Sequence, residues 1–148
     1  MNHYPKWWND TITLYNKFTD NELKKVVWHR YVLKGCFYKR ATESLIVGNT
    51  RIVSDVAICR IPVSKKFKGK KEWIKLSDEE KEQFFTLSAG DIIISEEVDF
   101  EIDERTPGKR SSDLVKQYSE WPGCFTIESV NVNVGGGRGN EHYHVRGK

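Results

Sequence analysis

Residues 26–62 read VVWHRYVLKGCFYKRATESLIVGNTRIVSDVAICRIP, and this stretch decides the fold. Its first part, VVWHRYVLKGCFYKRA, carries Trp28, His29, Tyr31, Leu33, Phe37 and Tyr38. That aromatic and apolar mass suits a pleated, half-buried strand. A turn is expected near Gly48 and Asn49. The last part, SDVAICRIP, is apolar on both faces from Val56 to Cys59, as a central strand requires. Pro62 cannot donate to a ladder and marks the end of that strand. The expected fold is mainly β: a small antiparallel β-barrel or sandwich with two short helices, extended loops and an N-terminal arm.

On the N-terminal side, TITLYNKF at Thr11 to Phe18 sets Ile12 and Leu14 against Thr11, Thr13 and Tyr15, an alternation that predicts the first strand. The polar run Thr19, Asp20, Asn21 and Glu22 makes it a hairpin with the long strand. Residues 1–10, MNHYPKWWND, have no periodicity and read as an arm, leaving residues 11–148 as one domain. The pair Trp7 and Trp8 either packs back on that domain or anchors the arm on a neighbouring subunit.

On the C-terminal side comes KKFKGKK, in which Lys65, Lys66, Lys68, Lys70 and Lys71 surround Phe67. It is expected as a mobile, solvated loop, with contact to phosphate or to an acidic partner as the alternatives. Ser77 followed by Asp78, Glu79 and Glu80 spells a capping box and a short helix toward Phe85. Ile92 to Ile94 reads as a buried strand after the turn at Ala89 to Asp91. From Glu96 to Glu104, acids alternate with Val98, Phe100 and Ile102, the pattern of a strand with one acidic face. Glu97, Asp99, Glu101 and Asp103 would line solvent or a channel. Oxygen-ligand loops for a cation add glycine and carbonyl ligands at set offsets, which this segment lacks. Ser111 or Ser112 is expected to cap a second helix through Tyr118, ended by Trp121, Pro122 and Gly123. CFTIESVNVNV at Cys124 to Val134 alternates, with a drift in phase near Ser129. Gly135 to Asn140 reads as a flexible turn into a last strand, HYHV.

The aromatic share of 12%, with five Trp, excludes a disordered chain. A net charge of +3 is too small to imply nucleic acid by itself. Three widely spaced cysteines argue for packed thiols rather than a disulfide framework. The lack of a long apolar run predicts neither a signal peptide nor a membrane span. His142 and His144 share a strand face, and His29 could join them as a third metal ligand only if the strands were adjacent. No cysteine lies in a C-x-x-C spacing, and the glycines near Gly135 lead into no helix and no Lys-Ser/Thr pair. No enzyme, metal or cofactor is expected.

The order of segments carries a resemblance. ITLYNKF, WHRYVLKGCFYKR, VAICRIP, FFTLSAGDIII, CFTIESV and the terminal HYHVRGK resemble a family of small proteins from the structural cassettes of tailed phages and prophages of Gram-positive bacteria. They resemble in particular head-closure and other head–tail connector proteins. Ser88 to Ile94, with His142, Val145 and Gly147, match best. The resemblance implies a non-enzymatic ring component of the virion neck, made in the host cytoplasm. Its partners would be copies of itself, the portal or adaptor, and the tail-tube or tail-terminator proteins. Packaged DNA would pass nearby without sequence-specific binding, and no membrane is involved. A tail terminator or another neck ring is the nearest variant of this expectation.

Two other classes compete. Trp28, Tyr31, Phe37 and Tyr38 with Lys34, Lys39 and Arg40 are material for an oligonucleotide-binding barrel that holds single strands by stacking and charge. A small hydrolase would rest only on scattered His and Cys.

Overall fold

The computed structural model describes residues 4–20, 22, 24–120, 123–133 and 141–148. Six strands close into a barrel: β1 (Asp10–Asp20), β2 (Lys25–Val47), β3 (Thr50–Pro62), β4 (Ile92–Ile94), β5 (Cys124–Asn133) and β6 (His142–Gly147). The order around the barrel is β1-β2-β3-β6-β5-β4, and every neighbouring pair is antiparallel. Three short helices are added: α1 (Lys70–Trp73), α2 (Asp78–Gln83) and α3 (Ser111–Gln117). The expected mainly β, barrel-like fold is what forms.

The long strand β2 serves two neighbours. It pairs with β1 as far as Cys36 and with β3 from Phe37 onward. The switch falls at Gly35, whose φ of +72° is a left-handed conformation that side-chain-bearing residues rarely adopt. Pro62 is indeed the last residue of β3, opposite His142. The phase drift near Ser129 is a register shift of β5 against β6 between Ile127 and Ser129.

Two apolar clusters share the barrel wall. Ile12, Leu14, Cys59, Ile93, Phe125 and Val145 point inward and form the first, with Tyr31, Leu33 and Tyr38 packed against them. Tyr15, Ile92, Ile94, Val98, Leu114 and Cys124 form the second on the outside of β1 and β4. This second layer explains the Ile92-Ile93-Ile94 run: successive side chains point opposite ways, and both sides are dry. It also corrects the expected alternation of β1, where Ile12 through Asn16 are all buried.

The acidic segment is not a strand, contrary to the sequence expectation. No ladder forms between residues 95 and 110, although Val98, Phe100 and Ile102 do face the second cluster. Side chains satisfy its backbone instead. Thr13 Oγ1 accepts from the Val98 amide at 2.9 Å and donates to the Glu96 carbonyl at 2.8 Å. Arg30 Nε and the Tyr15 hydroxyl donate to the carbonyls of Val98 and Phe100. With those carbonyls taken by side chains, the alternation does not depend on a partner strand.

Ser77 caps α2 with the expected capping box to Glu80. For α3 the N-cap is Arg110, not Ser111 or Ser112; its amide donates to Asp113 Oδ2 at 3.0 Å. The helix α1 was not expected. It buries Trp73, which packs edge-on against Phe18 and His29. Lys81 lies against the same rings, its Nζ 4.2 Å from the Phe18 centroid and donating to the Leu76 carbonyl at 2.8 Å. A buried ammonium is held there by ring faces and one carbonyl.

Candidate interaction surfaces

Past Ala41 and Val56, β2 and β3 have no strand neighbour but each other among the described residues: β1 pairs with β2 only to Cys36, and β6 pairs with β3 only from Ala57. Residues 42–55 therefore form a two-stranded ribbon, closed by Gly48 and Asn49, that extends the strand pair by about 20 Å. Two of its cross-strand pairs, Leu45 with Ile52 and Val47 with Thr50, lie on one face; Ile46 with Arg51 and Ser44 with Val53 lie on the other. Leu45, Ile46, Val47, Ile52 and Val53 are each at least half exposed, and Ile46 reaches 72%. An isolated hairpin in water is marginal, and apolar residues on both faces of one leave it an uncovered contact surface. The Gly48–Asn49 turn is legible in the sequence and this projection is not, its one local signal being the uncharged run SLIV at residues 44–47 before the turn.

The two N-terminal tryptophans separate. Trp8 is buried, stacked on Tyr4 and edge-on to His142. The Tyr4 hydroxyl bonds the Glu141 carbonyl and accepts from the Val63 amide at 3.3 Å. From Tyr4 onward the arm thus packs on the barrel through Tyr4 and Trp8. Trp7 remains 55% exposed, its ring edge-on to Phe37 at 4.9 Å.

The lysine segment is fastened rather than mobile. Phe67 stacks on Tyr143 at 4.4 Å and meets Phe85 edge-on. The Lys68 amide donates to the Phe85 carbonyl, and the Phe85 amide to the Lys66 carbonyl, each at 2.9 Å. Lys66 and Lys68 both lie over the Phe84 ring. Lys70 bonds the Lys17 carbonyl, and its ammonium is held below the usual lysine range by burial, with Lys17 adding to the effect against Asp91. Lys65, Lys66 and Lys71 stay exposed. A cleft of about 670 Å³ opens beside α1, lined by Phe18, Ile74, Lys17, Lys70 and Lys75 with Asp20 and Glu22 at the turn.

Glu97, Asp99, Glu101 and Asp103 are all exposed, on the outside of the second cluster rather than on an inner wall of the barrel. Asp103 accepts from the Arg105 amide and the Thr106 hydroxyl, which hold its carboxyl below the usual range.

The histidines do not converge. His29 lies against Trp73, whereas His142 and His144 lie on β6 with ring centroids 6.4 Å apart. Among the described residues no group of three or more His, Cys, Asp or Glu is placed to hold a metal ion. Cys36, Cys59 and Cys124 are buried free thiols, and burial pushes Cys59 well above the usual thiol range, with Cys36 adding to the effect. Among the described residues no helix is long and apolar enough to cross a membrane. The flexible turn expected over Gly135 to Asn140, together with Val134, Trp121, Pro122 and Asn21, lies outside the described residues.

Of the residues expected for an oligonucleotide barrel, Tyr31 and Tyr38 pack on the inner cluster and Trp28 on the outer one. Arg40 donates to the Cys124 carbonyl at 2.6 Å. Lys34, Phe37 and Lys39 alternate with inward residues and face outward.

Fold and surface together define a closed six-stranded antiparallel barrel with a projecting apolar ribbon. The chain belongs to a family of unknown function, DUF6751, which it matches over residues 7–148. No curated protein and no solved structure matches it.

Proposed function

We propose that the chain is a non-enzymatic structural subunit of a tailed-phage or prophage virion, a head–tail connector of the head-closure type. Copies form a ring in the neck, between the portal or adaptor and the tail. The observation that carries this reading is the β2–β3 ribbon, on which Leu45, Ile46, Val47, Ile52 and Val53 are exposed. Ring assembly multiplies modest contacts, so one apolar ribbon per subunit contributes as many contacts as there are subunits. The ordered resemblance of six chain segments to connector proteins supports the same assignment. Packaged DNA passes such a ring without being read.

The test is direct imaging and peptide mass spectrometry of particles induced from a host that carries the gene. The chain is expected as a ring at the neck, and a Leu45→Lys, Ile52→Lys variant is expected to stay out of the particle. Intact, infectious particles that lack the chain would overturn the reading. Density at the far end of the tail tube would make it a tail terminator instead.

A further inference from the structure

One face of the barrel has a charge pattern that the connector reading does not use. VLKGCFYKRA at residues 32–41, VAICRIP at residues 56–62 and HYHVRG at residues 142–147 contain five Lys or Arg and no carboxylate. These segments are adjacent, because β3 pairs with both β2 and β6. Arg40 is bonded to the Cys124 carbonyl, and Lys34, Lys39, Arg60 and Arg146 share these strands with it. Alternation with the inward residues Leu33, Tyr38, Cys59 and Val145 sets all four on the outward side.

Lys34, Lys39 and Arg60 have no ion pair among the described residues. His144 lies on the same side. Burial, then Arg60, His142 and Arg146, hold its imidazole below the usual value, and no carboxylate opposes them. The acids of Glu96 to Glu104 pack elsewhere, over the cluster outside β1 and β4.

The same face carries the exposed ring of Trp7. Trp7 meets Phe37 edge-on, and the Arg60 guanidinium lies 5.5 Å from the Phe37 centroid. An aromatic platform flanked by unpaired cations is the combination that holds single strands, the cations tracking phosphates and the ring stacking a base.

We propose that the outward face of β2, β3 and β6 binds single-stranded nucleic acid without sequence preference, Lys34, Lys39 and Arg60 contacting phosphates and Trp7 stacking a base. The site does not depend on the connector reading; the face is the same whether or not the chain enters a particle.

Fluorescence anisotropy of the full chain with a labelled oligo-dT of about 20 nucleotides tests it, a length that spans one barrel's site. Three or four phosphate contacts predict that log K falls against log salt with a slope of about −2 to −3. Trp7→Ala is expected to weaken binding about tenfold and to leave the salt slope unchanged. Lys39→Glu is expected to weaken binding and flatten the slope by about one contact. Lys39 is exposed, so an unchanged melting temperature confirms that this variant folds. The proposal is overturned by binding that ignores salt, by no binding, or by Lys39→Glu and Lys34→Glu variants that bind as the parent does. Polyglutamate bound as tightly as the oligonucleotide would make the face a dock for an acidic protein. A duplex bound as tightly, with Trp7→Ala neutral, would remove the single-strand assignment.

Discussion

Asn16 and Asp91 are bonded to each other inside the protein, the side-chain amide of the first donating to the carboxylate of the second across 2.9 Å. The Lys17 amide reaches the other carboxylate oxygen at 2.9 Å, and the Ser88 amide adds a bond at 3.0 Å. Asn16 closes the circuit by donating to the Thr86 carbonyl and accepting from the Thr86 amide. One carboxylate therefore ties β1 to the turn that starts β4.

Asp91→Ala removes an acceptor from the buried Asn16 amide and from the part-buried Lys17 and Ser88 amides. A buried donor without an acceptor costs about 1–3 kcal/mol, so the expected loss is about 3 kcal/mol or more. Urea denaturation checks it; a midpoint within error of the parent would show that the brace contributes nothing.

Gly147→Ala should be among the most damaging single substitutions. A Cβ there would sit 1.9 Å from the Thr126 carbonyl oxygen and 2.6 Å from Phe125 Cδ2. Backbone must shift, and the Lys148–Thr126 amide pairing that follows would open. The expected cost is more than about 3 kcal/mol, read as loss of folded protein by circular dichroism.

Acid should weaken the fold through His29. Burial first, and the Lys81 charge second, hold His29 below its usual value. The unfolded chain then takes up the proton at a higher pH than the folded one does. Stability is full above about pH 6.5 and falls as pH drops from there toward the folded value. His144 titrates in the same direction. Urea midpoints at pH 7.5 and 5.5 should differ, lower in acid. His29→Gln should narrow that difference; an unchanged difference would clear His29 of the effect.

Substitutions at the ribbon tip should separate assembly from stability. Leu45 and Ile52 are 62% and 50% exposed, so Leu45→Lys with Ile52→Lys removes little packing within the monomer. Stability is expected to stay within about 0.5 kcal/mol. Light scattering of the purified chain should show the parent self-associating and the variant not.

Much of the barrel could be read from periodicity, because VVWHRYVL, VAICRIP and the Ile92 to Ile94 run have strand patterns with buried faces. Pro62, Ser77 and Glu80 act through their own backbones, so local chemistry was enough to place them. The second cluster was not legible. Tyr15 and Thr13 look like outward residues until Val98 and Leu114 cover that side. Glu96 to Glu104 alternates like a strand for the same reason, since apolar residues must face that cluster even without a ladder. Lys81 had no signal at all, because its cage of Phe18 and Trp73 comes from two distant segments. Lys34, Phe37 and Lys39 of the outward basic face stand on one legible strand, whereas Arg60 joins them only through the pairing of β3 with β2.

The continuity of β2 has a mechanical result. From Lys25 to Val47 the same backbone forms part of the barrel wall and then one rail of the ribbon, with no loop between them. A pull on the tip at Gly48 is carried along covalent bonds into the β1 pairing instead of being spent on flexing a joint. Such an arm holds its heading under tension, and whatever grips its end also grips the barrel.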